Sequence, residues 1–178
     1  MKLIRTIRLD PSDTFVFDNA AEPGEWAVSG AFRFWNEAPA ELTGKARAAF
    51  RSGFLGVASF GWSTLVQIVE ATESDRAQVV EALVRQLVKF CGAPDLDAAR
   101  AAAAEEVEFA GSLCEHPVDT LIAVHRSCDG SEIREAFRTL TPRSGPKPLR
   151  AFSFLEVEGE DDAPAETVDL IGMVGERK

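Results

Sequence analysis

Four of the chain's five Cys and His side chains fall in one short stretch, Cys114-Glu-His116 followed after eight residues by His125-Arg-Ser-Cys128. Thiolate sulfur and imidazole nitrogen are the ligands a tetrahedral zinc ion prefers, at about 2.0 to 2.3 Å. The same types could make a Cys-His nucleophile pair, provided the thiol ionises beside an imidazole. Both chemistries depend on convergence. The C-x-H gap is tighter than the two- to four-residue spacing with which structural zinc sites usually open. Cys114 shares a helical face with Val107 and Ala110, where a free cysteine behaves as a small hydrophobe. At a helix C-terminus the dipole raises a thiol pKa, the wrong direction for a nucleophile. His125 and Cys128, three apart on a strand, project to opposite faces. The stretch therefore reads as buried thiols and two surface or capping histidines, with a zinc site on Cys114, His116, His125 and Cys128 as the alternative.

Other candidate groups carry less. Gly53-Phe-Leu-Gly56 and the glycines from Gly24 to Gly30 lack the lysine and the strand-to-helix context of a phosphate loop, and turn chemistry accounts for them. Glu105-Glu106 and Asp161-Asp162 are adjacent acidic pairs expected to face water, whereas acid–base work needs environments that push two pKa values apart. Trp26, Phe32, Phe34, Trp35, Phe60 and Trp62 are large aromatics of the kind that fill cores. Trp35 falls on the opposite face from Trp26, so an exposed Trp35 beside Trp62 would form a partner surface.

The elements that must hold these residues can be read from periodicity. Leu3, Ile4, Ile7 and Leu9 predict an opening strand, and Asp10-Pro-Ser-Asp13 a turn, followed by a short β-prone run from Thr14 to Asp18. After Pro23-Gly24, strict alternation from Trp26 to Trp35 predicts the clearest strand of the chain. From Thr43 the period becomes helical through Ala46, Ala49, Phe50 and Phe54. Leu65 to Val69 predicts a central strand buried on both faces. Ser74 is expected to cap a helix that stops at Gly92 with Val80, Leu83, Val84, Leu87, Val88 and Cys91 as its stripe. Asp95 caps an alanine-rich helix with Ala103, Val107, Ala110 and Cys114 inward and Glu105, Glu106 and Glu108 toward water, ended by Pro117. Leu121 to Ser127 predicts a strand, Asp129-Gly130 a turn, and Ser131 the cap of a short helix with Ile133, Phe137 and Leu140 inside. Residues 142–148, with three prolines, predict a linker, Leu149 to Val157 a last strand, and 158–167 an acidic loop or flexible segment.

Strands first, then helices interleaved with single strands, predict an α+β fold: one domain over 1–178, mainly antiparallel sheet, with helices packed on one face. At 178 residues the chain has the size of one domain, and 46% apolar with 27% charged residues is ordinary globular composition. With 29 acidic against 19 basic residues the formal charge is -10, which repels polyphosphate and anionic lipid, so neither nucleic acid nor membrane is expected as a partner. Three cysteines cannot all pair internally and read as reduced thiols. No signal-like or membrane-length apolar run appears, which points to the cytoplasm.

The motifs R-T-I-R-L-D at Arg5 to Asp10, E-x-G-E-W-A-x-S-G at Glu22 to Gly30, L-T-G-K-A-R-x-A-F at Leu42 to Phe50 and G-A-P-D at Gly92 to Asp95 resemble an uncharacterised family of short alphaproteobacterial proteins, over most of the chain up to about Pro142. The resemblance implies no established activity. It implies gene company with molybdenum-dependent, formate dehydrogenase-like enzymes and their accessory factors. The expectation is therefore a non-catalytic, cytoplasmic accessory or protein-interaction protein, linked to a redox enzyme, binding another protein, compatible with homo-oligomers and needing no cofactor. Two alternatives stand beside it: a small zinc protein using the Cys/His cluster, and a small-molecule enzyme with a pocket over the sheet.

Overall fold

Two-residue alternation builds the main sheet, and the computed structural model describes residues 1–130, 132–141 and 156–158 of it and of the elements around it. Its strands are β1 (Lys2–Ile7), β5 (Leu65–Glu70), β6 (Leu121–Asp129), β7 (Glu132–Thr141) and β8 (Glu156–Glu158), all paired antiparallel in the order β1-β5-β6-β7-β8. A smaller antiparallel sheet joins β2 (Ala27–Val28), β3 (Phe54–Gly56) and β4 (Trp62–Ser63). Among the described residues four α-helices complete the fold: α1 (Ser12–Val16), α2 (Gly44–Ser52), α3 (Glu73–Phe90) and α4 (Leu96–Ser112). The architecture is a single α+β domain, as the order of elements predicts.

Register places Ile4 opposite Ile68, Val66 opposite Ile122, Val124 opposite Phe137 and Arg126 opposite Glu135, all on one face. That face is the core. Buried Val79, Leu83, Val84 and Leu87 of α3 and Ala99, Ala103, Val107 and Ala110 of α4 pack into the same cluster, with Val28, Phe54 and Leu55 of the small sheet. A satellite cluster of Phe17, Phe34, Ala49 and Phe50 fills the far end, where Phe34 stacks on Trp62 at 5.3 Å. The opposite face of β5 is only half-buried through Leu65, Gln67 and Val69, so this strand is covered fully on one side rather than both.

Two helix starts follow local chemistry. At α3 the cap is Thr72 rather than Ser74: its hydroxyl accepts from the Asp75 amide at 3.1 Å while Asp75 Oδ2 accepts from the Thr72 amide at 2.8 Å, a reciprocal capping box. Asp95 caps α4 as expected, accepting from the Ala98 amide at 2.7 Å. The inward stripe of α3 begins at Val79 rather than Val80, and Val88 and Cys91 are exposed.

Three segments adopt a different secondary structure from the one their residues predict. The run after Asp10 is the short helix α1, not a turn and strand. The stretch from Trp26 to Trp35 is a strand only at Ala27–Val28. It turns left-handed at Gly30, with φ 81°, and continues as a 3₁₀ turn over Ala31–Phe34. The reason is a close approach, since a Cβ on Gly30 would lie 2.6 Å from Leu55 Cβ. The segment after Gly130 is strand β7, not a helix: it forms a hairpin with β6, pairing from Asp129↔Glu132 to Leu121↔Leu140. The linker 142–148 lies outside the described residues, as do the predicted last strand before Glu156 and the acidic run after Glu158.

Candidate functional site

The core face of β6 carries a charge. Arg126 follows Ile122 and Val124 at two-residue spacing, and its side chain is 0% exposed. A guanidinium in that position must spend every N–H, because unpartnered charge in a low-dielectric interior is costly. Nε donates to Glu135 Oε1 at 2.7 Å. Nη1 donates to the carbonyls of Phe50 at 3.1 Å and Gly53 at 2.6 Å. Nη2 donates to the Ser29 carbonyl and to Ser29 Oγ at 3.1 Å. Ser29 Oγ in turn donates to Glu135 Oε1. All five donors of the fork are thereby engaged.

The consequence is structural first. Phe50 and Gly53 stand at the end of α2, so Arg126 satisfies carbonyls that no further helical turn can reach and places positive charge at the negative end of the dipole. Ser29 belongs to the bend after β2, and Glu135 to β7 across the hairpin. One side chain ties both sheets to α2. Burial lowers the Arg126 pKa, while Glu135 and Glu106 act to raise it.

Glu106 of α4 is the second carboxylate of this cluster, and it departs from expectation. Its neighbours Glu105 and Glu108 face water, yet Glu106 is half-buried, and its Oε2 is out of solvent with no hydrogen-bond partner among the described residues. Burial, chiefly, and then the neighbouring charge of Glu135 push its pKa from the usual 4.5 up to about 7, against the pull of Arg126. Its position explains the burial. Three after Ala103 and four before Ala110, Glu106 sits at the margin of the inward stripe of α4.

Glu106 also lines a cleft of about 340 Å³ between the end of α3, the first half of α4 and the turn after Gly30. Phe32, Trp35, Leu87 and Ala102 form its apolar walls, and Glu105 stands on its rim. Trp35 is 70% exposed there, and Val88, Phe90 and Leu96 are exposed around the same α3–α4 turn. This cleft is bounded by helices and a turn rather than lying over the sheet. Trp62 is half-buried and packs on the satellite cluster against Phe34.

The Cys/His stretch is not drawn together. Cys114 is buried just beyond α4, donating to the Ala110 carbonyl at 3.4 Å, and burial pushes its thiol up to about 11. His116 and His125 are exposed, and His125 points away from the core face that Cys128 shares. Cys128 is half-buried and donates to the Gly130 carbonyl at 3.1 Å. Among the described residues no group of three or more His, Cys, Asp or Glu side chains is placed to hold a metal ion.

The fold and this site define a class: an α+β domain with a buried arginine–carboxylate clamp behind an apolar cleft. The chain belongs to DUF6505, a family of unknown function whose model matches residues 1–154. No curated protein and no solved structure matches it.

Proposed function

We propose that the chain is a non-catalytic accessory protein whose cleft between α3, α4 and the Phe32 to Asn36 turn binds another protein. The observation that carries this reading is Trp35, a large aromatic 70% exposed at the mouth of an apolar cleft. Aromatics are enriched among the anchors of protein interfaces, and an exposed apolar patch next to a concavity marks such a site. Phe90 and Leu96 are also exposed at the α3–α4 turn. No helix among the described residues is long and apolar enough to cross a membrane. Arg126, Ser29 and Glu135 are bonded to one another and to the end of α2, which suits a rigid platform better than a reacting centre.

The test is site-directed. A photo-cross-linking amino acid replacing Trp35, used in native extract, should capture one partner that can then be purified and recombined with the chain as a stable complex. Ala102→Trp, which fills the cleft from the exposed side of α4, should abolish both capture and reconstitution. Capture that persists with the cleft filled, or no discrete partner, would reject the reading.

A further inference from the structure

The buried cluster is one cation short. Arg126 spends its five N–H groups on Glu135, Ser29, Phe50 and Gly53, so none remains for Glu106, whose Oε2 is buried and without a partner among the described residues. Two carboxylates thus share one guanidinium, and the second of them lines the cleft. A carboxylate in such a place gains most from an incoming positive charge, because attraction is strong where water is scarce. The walls suit the same guest. Phe32 and Trp35 bring aromatic rings to the cleft, side chains whose faces attract cations, and Leu87 and Ala102 offer apolar surface to the methylene stem of a long basic side chain. A second carboxylate, Glu105, waits on the rim, and the chain as a whole carries -10.

We infer that the cleft receives a lysine or arginine side chain of the partner protein, its stem against Phe32, Trp35, Leu87 and Ala102 and its charged head on the Glu106 carboxylate. This rests on the partner-binding reading above and adds the chemistry by which the partner is chosen. The pairing is linked to protons. The charged head gains its contact only with ionised Glu106, whose pKa of about 7 places the change within the physiological range. The charged and titratable groups that face it are Glu135 from β7, Arg126 from β6, Glu105 from its own helix and the Cys91 thiol at the end of α3, which Arg33 of the turn approaches at 3.9 Å. Of these, the carboxylates oppose ionisation of Glu106 and Arg126 favours it.

The probes are n-pentylamine, n-butylguanidine and 1-pentanol, matched in length, titrated into the full chain while the Trp35 indole N–H is followed by NMR. At pH 8 both cations should bind roughly tenfold more tightly than the alcohol, the span of one strong charge-assisted contact. Between pH 8 and pH 6 that preference should fall roughly fivefold, to about twofold, since a carboxyl titrating near 7 goes from about nine-tenths to about one-tenth ionised and its protonated form holds amine and alcohol alike. Glu106→Gln, nearly isosteric, should erase the preference while 1-pentanol still binds, and Glu108→Gln on the outer side of α4 should leave it intact. Equal binding of amine and alcohol at pH 8, a preference that survives Glu106→Gln, or no binding of either cation would each overturn the inference. A partner captured through Trp35 whose recombination with the chain is indifferent to Glu106→Gln would overturn it too, while leaving the partner-binding reading in place.

Discussion

Replacing Glu106 by glutamine should stabilise the protein at neutral and alkaline pH and do nearly nothing at pH 4. The sign follows from linkage. A carboxyl raised from 4.5 to about 7 by burial keeps its proton in the folded state after the unfolded chain has released its own. Between those two values the folded state binds more protons, so stability falls as pH rises and stays depressed above 7. A rise from 4.5 to about 7, at roughly 1.4 kcal/mol for each pH unit, gives a penalty of about 3 kcal/mol at pH 8 and about 2 kcal/mol at pH 6. Both are upper figures, because partial hydration of a half-buried group screens it. Glutamine keeps the shape and removes the ionisation. Urea unfolding of both proteins from pH 4 to pH 8 would show curves that coincide at pH 4 and separate progressively above pH 5. Parallel curves, or a variant that loses stability more at pH 8 than at pH 4, would refute the placement of Glu106 as a strained, unpartnered carboxylate.

The clamp makes its own forecast: Arg126→Met should cost about 3 to 5 kcal/mol in urea unfolding, because it strands Glu135 and the carbonyls of Ser29, Phe50 and Gly53. Arg126→Lys should recover only part of that, since an ammonium cannot span four partners as a planar fork does. Gly24 and Gly30 have nearly the same left-handed φ, 82° and 81°, but a Cβ meets open space at Gly24 and lies 2.6 Å from Leu55 Cβ at Gly30. Gly24→Ala should therefore cost about 1 to 2 kcal/mol from backbone strain alone, and Gly30→Ala distinctly more in the same unfolding assay. With a thiol reagent at pH 8, Cys91 should react first, Cys128 more slowly, and Cys114 only on unfolding, because it is buried with its thiol raised to about 11.

Much of this fold is legible from periodicity. The helix cap at Asp95, the stripe of α4, the strands β1, β5 and β6 and the turn at Gly130 all follow from local chemistry that tertiary packing then reinforces. What misleads is ambiguity between periods. Ile133, Phe137 and Leu140 have helical spacing, but Ile133, Glu135, Phe137 and Thr139 also alternate, and only pairing with β6 selects the strand. The charge at Glu135 hides that alternation, since an inward glutamate is unexpected until its partner Arg126 is known. Arg126 itself was legible in principle, as the next inward position after Ile122 and Val124. Trp26 to Trp35 alternates well, yet Gly30 breaks the strand for a steric reason that lies in Leu55, distant in sequence.

The site was less legible than the fold. Cysteine and histidine draw attention because their chemistry is distinctive, but the structure disperses Cys114, His116, His125 and Cys128 over a helix end and two faces of a strand. Trp35 is exposed as expected, whereas Trp62 is claimed by Phe34. Glu106 was hidden among three glutamates whose spacing places two of them outward. Its signal was its seat between Ala103 and Ala110 on the buried face.

The most direct measurement is a titration of the Glu106 side-chain carboxyl, followed by its own ¹³C resonance in the full chain. A midpoint near pH 7, moving down when n-pentylamine occupies the cleft, is the predicted result. A midpoint at the ordinary 4.5, unmoved by the amine, would contradict the account.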